Sequence, residues 1–303
     1  MKNSFYIDDD FANSRLDRWI KRQICRIPQS LIEKSIRKGN IKINNKKQKS
    51  SYKLKKGDKV ELYNFSFFNK KNINTNTRYK ATKSDLSASS NIFIEDNDNF
   101  AVINKPSGIA VQSGTKSKKN ILDILRYSKQ FNKCTPYTVH RIDKETTGVL
   151  IIAKNRKYAQ LFTSLFRIRK IHKTYLCIVV GRFTTDKGTF EDILTYKENN
   201  KKINLKAITH YKLIDSNSNY SLLKLNPETG RKHQLRKQLL IHGYPILGDS
   251  KYRLFENKKS KKNDLMLHAY KINFSIDKNK YSYLAELPMT FKNTLKEKYL
   301  KNF

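Results

Sequence analysis

Residues 140–154, HRIDKETTGVLIIAK, place one acidic side chain, Asp143, in a turn immediately before an apolar run. Arg141 and Lys144 flank this aspartate in a chain whose formal net charge is +37. The apolar run at 148–154 is short and rich in β-branched residues, which predicts a buried strand. An ordinary structural explanation is that Asp143 caps the turn and pairs with Arg141. The alternative is a functional carboxylate that the buried strand holds in position.

The sequence on either side of this stretch predicts many strands and few helices. Helical spacing of apolar residues marks 121–128, 156–168 and 232–243. Strands are predicted at residues 91–96, 100–108, 148–154, 173–181, 207–214, 220–228, 265–276 and 281–287. Numerous strands with occasional helices favour an α+β domain over residues 91–303, with a mostly antiparallel mixed sheet that is flanked by helices.

A smaller domain is predicted at residues 13–63. Two stretches with helical spacing of apolar residues are followed there by two short strands. A capping box formed by Ser30 and Glu33 predicts the start of the second helix, and Gly39 predicts its end. The Asn-, Ser- and Lys-rich segment 64–90 lacks apolar periodicity and predicts a flexible linker between the two domains.

The overall composition favours a globular protein with a polyanionic partner. The 303 residues suffice for a small and a large domain, and 38% of them are hydrophobic, including 16 Phe and 17 Tyr. Lys and Arg outnumber Asp and Glu by 63 to 26, which favours nucleic acid ahead of an anionic membrane surface. Because Lys, Asn and Ile are used heavily throughout, the position of the charge is more informative than its total.

The basic residues of the small domain predict an RNA-binding surface. Residues 1–63 hold 17 Lys and Arg against 7 Asp and Glu, a net charge of +10 (17 − 7). Most of this charge falls on the second helix and the following hairpin, which together predict one contiguous basic face. The candidate RNA contacts are Arg15, Arg18, Lys34, Arg37, Lys38 and Lys42.

Cysteine usage and hydropathy predict a cytoplasmic protein. Cys25, Cys134 and Cys177 have no metal-binding spacing, and an odd number of thiols in such a chain indicates a reducing compartment. No apolar run approaches the roughly 18 residues of a membrane span. The first residues, MKNSFYIDDDF, contain no apolar signal segment. We therefore expect no membrane partner.

The surroundings of Asp143 in the sequence offer little for metal or cofactor chemistry. Metal-dependent hydrolysis gathers several carboxylates or histidines around the ion, whereas only Glu145 is close by, and we expect it to point to the opposite side of the loop from Asp143. The chain has no His-x-x-x-His or Cys-x-x-Cys pair, P-loop, Rossmann glycine set or serine nucleophile elbow. We expect no metal site and no cofactor. A lone carboxylate that acts as nucleophile or base stays possible, and an arginine would have to aim it.

Two resemblances sharpen these expectations. RLDRWIKRQICRIPQSLIEKSIRKGNIKINNKKQKSSYKLKKGDKVEL, residues 15–62, resembles an S4 RNA-binding domain, in which two helices and a hairpin face the RNA backbone. HRIDKETTGVLIIAK resembles the central motif of the pseudouridine synthases that act on ribosomal RNA, H-R-L-D-x-x-T-S-G-L-L-L-x-A-K, with Ile142 for Leu and Thr147 for Ser.

Three further segments resemble the same family in the same order. They are VINKPSGIAVQSG at 102–114, KTYLCIVVG at 173–181 and PETGRKHQLRKQLLIHGYPILGDSKY at 227–252. The departures are Gln238, where the family usually has histidine, and Lys237, which replaces a small apolar residue. We expect both to affect the surface of the helix rather than the reaction.

The resemblance implies that the protein isomerises uridine to pseudouridine in 23S ribosomal RNA or in a large-subunit assembly intermediate, without a cofactor. Asp143 would start cleavage of the N-glycosidic bond, either by attack on C1′ or by removal of the C2′ proton. Arg236 would be its salt-bridge partner, Tyr175 would stack on the base near C5, and Arg141 would hold the extruded nucleotide. The other implied substrate-binding residues are His140, Lys105, Arg231 and His233.

Alternatives stay open at this point. A non-catalytic S4-type protein that associates with the ribosome explains the charge but not the motifs around Asp143, Tyr175 and Arg236. A hydrolase that uses Asp143 would need a second acid or a metal. Within the family, the sequence of residues 103–114 favours the C type of large-subunit enzyme over the D type, which modifies other uridines. We expect a monomer.

Overall fold

The computed structural model describes residues 2–24, 28–63, 79–113, 119–198, 201–254 and 264–301. It divides into two compact units, residues 1–78 and 79–303. Cys25 lies outside the described residues, whereas Cys134 and Cys177 are free thiols. None of the helices in the described ranges is long and apolar enough to span a membrane.

The first unit is a three-stranded antiparallel sheet with two helices. Its elements are β1 Lys2–Tyr6, α1 Leu16–Trp19 with a π-helical continuation Ile20–Ile24, α2 Gln29–Arg37, β2 Ile41–Ile43 and β3 Lys59–Tyr63. The strand order is β1–β3–β2. The apolar residues that predicted the helices, among them Leu16, Trp19 and Ile32, are buried against Val60 and Leu62 in one core.

The sequence did not predict β1. This strand pairs along its full length with β3, so the first unit begins well before residue 13, where the small domain was predicted to start. KNSFY contains only two apolar residues, Phe5 and Tyr6, and Tyr6 is exposed, which leaves no alternating pattern to detect. Backbone hydrogen bonds to β3 and the packing of Phe5 against the core hold the strand in place.

The start of α2 also differs from the prediction, because the capping box does not form. Pro28 stands before the first helical residue, Gln29, and no side chain caps the helix there. Ser30 therefore lies inside the first turn, and Glu33 instead accepts a 3.1 Å hydrogen bond from the amide of Gln29. Gly39 follows the helix with a φ of +76°, a conformation that glycine adopts without strain, and so ends it as predicted.

The second unit contains ten strands and five helices within the described residues. They are α3 Lys83–Ser90, β4 Phe93–Asp96, β5 Phe100–Lys105, α4 Ile121–Leu125, β6 Tyr137–Thr138, β7 Thr147–Ala153, α5 Arg156–Arg167, β8 His172–Val180, β9 Lys187–Glu198, β10 Lys201–Ser216, β11 Tyr220–Pro227, α6 Gln234–Ile241, β12 Leu267–Ile276, β13 Asn279–Leu284 and α7 Met289–Glu297. All ten strands belong to one sheet.

The predicted α+β architecture with a mostly antiparallel mixed sheet is confirmed. The strand order is β4–β5–β7–β12–β8–β11–β10–β9, with β6 on β7 and β13 on β12. Only the β7–β12 pair is parallel among these described strands. This pair brings the end of the Asp143 loop beside the middle of the sheet, next to β8.

The strand β7 is buried on both faces. Val149 and Ile151 pack in one core with Phe162 of α5, while Leu150 and Ile152 pack in another core on the α4 side. A strand with a helix-covered core on each face has no polar alternation, which explains the continuous apolar run in the sequence. The loop that carries Asp143 is therefore fixed at one end to the most buried strand of the unit.

The predicted linker is ordered in its last part. Residues 64–78 lie outside the described residues, but α3 occupies Lys83–Ser90, so the prediction of a flexible linker is wrong there. Thr82 and Asp85 form a capping box, and Asp85 also accepts hydrogen bonds from Tyr79 and Lys119. These polar bonds hold a helix with little apolar periodicity, which is why hydropathy alone did not reveal it.

Gly148 is required by the packing of β7 on β12. Its φ is +108°, and a Cβ at this position would lie 2.2 Å from the carbonyl oxygen of Ala269. Any side chain would push apart the two parallel strands beside the Asp143 loop. Gly148 is thus a close-packing residue within the strand.

Candidate active site

The second unit contains an open cleft of about 850 Å³. It lies where the β6–β7 loop, β8 and the first turn of α6 come together, and these three elements contribute Asp143, Tyr175 and Arg236 to its lining. Four more predicted substrate-binding residues line the same cleft: His140, Arg141, Arg231 and His233. Lys105 does not belong to the lining.

Arg236 holds Asp143 in a two-sided arrangement. Its Nη1 donates to Asp143 Oδ2 at 3.2 Å, while its Nε and Nη2 each donate at 2.7 Å to the two carboxylate oxygens of Asp249. The Asp249 side chain is fully buried, that of Arg236 is 5% exposed and that of Asp143 is 23% exposed. A bidentate bond fixes the plane of a guanidinium. The buried Asp249 therefore aims the arginine, and the arginine positions the Asp143 carboxylate in the cleft.

The electrostatics of the Arg236–Asp249 pair favour its charged form. Burial acts to raise the pKa of Asp249, but the hydrogen bond from Arg236 and the backbone N–H groups of Tyr252 and Lys251 outweigh it, so that this pKa is lowered. Burial likewise acts to lower the pKa of Arg236, and Asp249 and then Asp143 raise it. A buried acid that the cleft does not expose thus offsets the cost of burying the permanent positive charge beside Asp143.

His233 and Tyr252 complete this corner of the cleft. His233 stands at the start of α6 with a left-handed φ of +54°, and its Nε2 lies 3.7 Å from Asp143 Oδ1. Its Nδ1 lies 2.8 Å from the hydroxyl of Tyr252, whose ring lies 5.1 Å from the Arg236 guanidinium carbon. Burial and nearby cations, partly opposed by Asp143, lower the pKa of His233. This histidine therefore supports the polar wall around Asp143 as a neutral ring.

Tyr175 supplies the aromatic face of the cleft. It stands on β8 and packs against the cores on both sides of the strand. Burial and, to a smaller extent, the charge of Asp143 raise the pKa of Tyr175, so its hydroxyl stays protonated at neutral pH. The residue offers a ring for stacking and a phenol rather than a phenolate.

His140 lines the cleft but is engaged by the protein itself. Its Nε2 accepts a 2.9 Å hydrogen bond from the backbone N–H of Ile151, and its ring stacks on Phe166 with centroids 4.5 Å apart. Burial, with a smaller effect of Lys173, lowers the pKa of His140 to about 3. The prediction of a substrate contact therefore needs correction, because this neutral ring joins the Asp143 loop to β7 and α5.

Lys105 does not fit the substrate contact that the sequence suggested. Its side chain is fully buried, and its ammonium donates to the carbonyl oxygens of Pro106, Ile109 and Lys144 at 2.8, 3.0 and 3.1 Å. Three N–H donors thus meet three backbone acceptors. Burial lowers the pKa of Lys105 to about 7, against the opposing effects of Glu145 and Asp143. The lysine ties the loop after β5 to the loop that carries Asp143.

Arg141 does not pair with Asp143, so the ordinary structural explanation for this aspartate is wrong. Arg141 is exposed on the cleft wall and forms no ion pair within the described part of the chain. Glu145 also departs from expectation. Residues two apart in an extended segment point to the same side, and Glu145 Oε2 lies 3.9 Å from Nη1 of Arg236, the arginine that holds Asp143. Arg231 donates from Nε to the carbonyl oxygen of Lys206 at 3.1 Å.

The sequence analysis did not single out Lys173 in the cleft lining, or Asp249 and Tyr252 behind it. Asp249 and Tyr252 lie in the GDSKY segment, and Lys173 lies in the KTYLCIVVG segment, so both signals were present in the quoted motifs. The lining is strongly basic: eight Lys and Arg residues face two acids, Asp143 and Glu228. The eight cations are Arg141, Lys144, Arg167, Arg169, Lys173, Arg231, Lys232 and Arg236.

Gln238 is buried, which contradicts the expectation that it affects the helix surface. Its amide nitrogen donates to Asp192 Oδ2 at 2.7 Å and to the Phe190 carbonyl at 3.2 Å, and its oxygen accepts from the hydroxyl of Thr209 at 2.7 Å. The residue thus anchors α6, which carries Arg236, to β9 and β10. Lys237 is partly exposed, with its ammonium 3.8 Å from the ring centre of Tyr196.

The first unit presents several of the predicted basic residues on its surface. Arg18, Lys34, Arg37 and Lys38 are exposed, and Lys42 is partly exposed with its ammonium 5.1 Å from the centre of the Tyr63 ring. Arg15 differs, because it forms a bidentate pair with the buried carboxylate of Asp17 at 2.7 and 3.1 Å. Arg15 therefore contributes to the fold as well as to the basic face.

No group of three His, Cys, Asp or Glu side chains that could hold a metal ion occurs among the described residues. Comparison with protein families gives two matches. Residues 99–240 match the RNA pseudouridylate synthase family, and residues 14–60 match the S4 domain. Asp143, Tyr175 and Arg236 all fall within the first match, and the motif at 227–252 extends beyond its end.

Relatives and solved structures agree with these matches. The chain is 34% identical to ribosomal large subunit pseudouridine synthase C of Buchnera aphidicola subsp. Baizongia pistaciae, over 96% of this chain and 95% of that protein. It is 31% identical to the enzyme of that name from Vibrio vulnificus, over 89% and 87%. The human RNA pseudouridylate synthase domain containing 4 structure has a TM-score of 0.62 at 26% identity, over 71% of this chain and 96% of that chain. By these matches, the chain belongs to the RNA pseudouridylate synthase family and carries an S4 domain at its amino end.

Proposed function

We propose that this protein isomerises uridine to pseudouridine in the 23S ribosomal RNA of the large ribosomal subunit, with Asp143 as the catalytic carboxylate. The observation that carries the proposal is Asp143 itself, which faces a basic cleft and is aimed by Arg236, with Asp249 behind it. The names of the relatives support the large subunit as the source of the substrate. The proposed enzyme acts in the cytoplasm as a monomer.

The reaction is a rearrangement without net loss or gain of atoms. The bond between uracil N1 and ribose C1′ breaks, the base turns, and a new bond joins C5 to C1′. The proton on C5 leaves, and N1 gains one. Asp143 starts the reaction either as a nucleophile at C1′ or as a base at C2′. No electron or group is supplied from outside, so the chemistry requires neither a metal nor a redox cofactor.

The other cleft residues have supporting roles in this proposal. The ring of Tyr175 stacks on the uracil, and its protonated hydroxyl is a hydrogen-bond donor near the base. Arg236 keeps the Asp143 carboxylate in position when the negatively charged RNA approaches it. The exposed Arg141 contacts the extruded nucleotide and fills the gap that this nucleotide leaves in the RNA stack. Flipping a base costs a few kcal/mol, which phosphate contacts at the basic rim offset.

The proposed function is tested by mapping pseudouridines in 23S ribosomal RNA. RNA from cells that lack the gene is compared with RNA from the parent strain and from cells that carry either the wild-type gene or Asp143→Asn. We expect specific pseudouridines to disappear without the gene and to return only with the wild-type copy. The purified protein should form the same pseudouridines in a 23S transcript. An unchanged pseudouridine map, together with no product in vitro, would contradict the proposal.

A further inference from the structure

The ammonium of Lys173 has no partner in the cleft. Lys173 lines the cleft, and its side chain forms no hydrogen bond or ion pair with any residue that the structure describes. Its backbone carbonyl accepts from the amide of Asn226, which fixes the strand but not the charge. A half-buried cation without a counter-charge is unusual, because desolvation of a charge costs free energy unless the charge is paired.

The position of Lys173 on β8 relates it to Tyr175. Residues two apart on a strand point to the same face, so Lys173 and Tyr175 share one wall of the cleft. The strand begins at the exposed His172, and on the face of Lys173 the half-buried Lys173 and Tyr175 are followed by the fully buried Cys177. Lys173 therefore lies between the rim and the part of the cleft where Tyr175 and Asp143 face each other.

The charged neighbours of Lys173 are cations or neutral groups. Arg169, on the turn between α5 and β8, lies close enough that, after burial, it lowers the pKa of Lys173, which falls to about 8. The ring of His140, from the Asp143 loop, is neutral and feels the charge of Lys173. The nearby acid Glu228 interacts with Arg169 at 3.8 Å and with His210 at 2.7 Å instead. Two cations converge here, and an incoming anion would relieve their repulsion.

We propose that Lys173 holds a phosphate of the nucleotide that is flipped into the cleft, with Arg169 at the outer side of the same phosphate. A flipped nucleotide enters base first, so its phosphates are its outermost part. With the base on Tyr175 and the ribose at Asp143, a flanking phosphate comes to the level of Lys173, nearer the rim. This inference rests on the proposed function. The inference gives Lys173 a role only after the nucleotide has flipped into the cleft. The cations at the rim, by contrast, bind RNA before that step.

The test uses a ribosomal RNA fragment that contains a uridine identified by the mapping experiment. Single-turnover rates at saturating enzyme are measured for the wild type, Lys173→Met and Lys173→Arg, with folding verified by circular dichroism. A charge-assisted hydrogen bond formed in the flipped state predicts a rate loss of about 10- to 100-fold for Lys173→Met, at nearly unchanged RNA affinity. Lys173→Arg should recover most of the rate. The matched control is Lys170→Met, whose rate should fall by less than about threefold. Lys170 is an exposed cation in the turn between α5 and β8, next to Arg169.

A second arm neutralises the phosphates. The 5′ and 3′ phosphates of the target nucleotide are replaced, one at a time, by methylphosphonates. One of the two replacements should slow the wild type by about 10-fold or more and slow Lys173→Met by less than about threefold, because the contact is already lost. Losses that multiply independently, or a wild type indifferent to both replacements, would overturn the inference, and the second result does so even if Lys173→Met fails to fold. If the wild type forms no pseudouridine in the unmodified fragment, the proposed function fails as well.

Discussion

Asp143 is the side chain on which the proposed chemistry depends most directly. We expect Asp143→Asn to reduce pseudouridine formation to below about 1% of the wild type, since the amide can act neither as a nucleophile nor as a base. RNA affinity should stay within a few fold, because the basic lining carries the binding. Tritium release from 5-labelled uridine in 23S RNA measures the first effect, and filter binding measures the second.

The control for this substitution lies in the same loop. Glu145→Gln removes a carboxylate that also approaches Arg236, at 3.9 Å, but is 47% exposed. We expect a change in rate of less than about threefold, because exposed charge pairs contribute little. If Glu145→Gln were as damaging as Asp143→Asn, the loss would reflect the charge balance around Arg236 rather than the chemistry of Asp143.

We expect Asp249 to act on the reaction only through Arg236. Asp249→Asn should lower the saturated single-turnover rate by about 10- to 100-fold while RNA affinity changes little, because the guanidinium that aims Asp143 loses its bidentate anchor. Breaking a buried pair should also destabilise the second unit by about 3–5 kcal/mol. Arg236→Lys should give a similar rate loss, and the double variant should be little slower than either single one. Additive losses would show that Asp249 has a role of its own.

Sequence reasoning located Asp143 and Arg236 but not Asp249, for a physical reason. The motifs identify Asp143 and Arg236 as separate residues in the sequence, and the structure shows that they meet in the cleft. The Arg236–Asp249 bond joins α6 to the loop that follows it, and only the turn at 249–252 sets its geometry. Lys105 was misjudged for a related reason, since a lysine in an RNA-binding chain suggests a phosphate contact, whereas tertiary packing surrounds this one with three carbonyls.

The helix α6 depends on a buried polar contact for its position. Gln238→Leu should lower the free energy of unfolding of the second unit by about 1–3 kcal/mol, because Asp192 Oδ2 loses its 2.7 Å donor and the Thr209 hydroxyl loses its acceptor. Urea denaturation measures the loss. Ile241→Ala on the same helix is the control, since Ile241 is exposed and should change stability by less than about 0.5 kcal/mol. Equal stability of Gln238→Leu and wild type would contradict the anchoring role.

We expect the stability of the second unit to fall in acid because of His268, a buried residue of β12. This buried ring lies between the hydroxyl of Thr147 at 2.7 Å and the carbonyl of Ala285 at 3.1 Å, and burial lowers its pKa to about 4. The unfolded chain binds a proton near pH 6.5, so stability is fully present above that pH and is lost as the pH falls towards 4, by up to about 1.4 kcal/mol per pH unit. His140 adds to the same trend.

The variant His268→Gln isolates this contribution. Its amide can bond the same two partners and does not titrate, so its stability should fall less steeply than that of the wild type between pH 6.5 and about 4. Urea midpoints at pH 7.5, 6.0 and 5.0 provide the comparison. Parallel curves for the two proteins would show that His268 does not carry the acid sensitivity.

Patterns of hydropathy predicted the buried elements better than the polar ones. The run at β7 was recognised because both of its faces are buried, whereas β9 was missed because few of its residues are apolar and one of them, Ile193, is 62% exposed. Capping patterns in the sequence gave one false prediction and one omission. The Ser30 pattern predicted a box that Pro28 prevents, and the Thr82 box was overlooked in a segment that had been assigned to a linker. Local patterns become reliable only where packing supports them.

The protein as a whole has two units with separate cores, which allows their contributions to be separated. The first core contains residues only from the first unit, and the other three contain residues only from the second. We propose that the amino-terminal unit binds RNA and takes no part in the chemical step. The division between the units falls at residue 78, and the Tyr79–Asp85 hydrogen bond belongs with α3, so a truncated protein should begin at residue 79.

We expect the protein that consists of residues 79–303 to fold, to bind ribosomal RNA more weakly and to react at nearly the wild-type rate once it is saturated. The lost cations act through counterion release, so the slope of log affinity against log salt should become shallower by as much as about 4 for five or six lost phosphate contacts. Linked binding sites raise the effective concentration of the second site without new contacts at the first. Single-turnover rates and affinities across a salt series measure both quantities. A matched full-length variant with Arg18, Lys34, Arg37 and Lys38 changed to Gln should reproduce the change in slope while keeping the first unit folded. If the truncated protein is folded and its saturated rate falls a hundredfold or more, the amino-terminal unit helps to assemble the active site, and its role is not confined to binding.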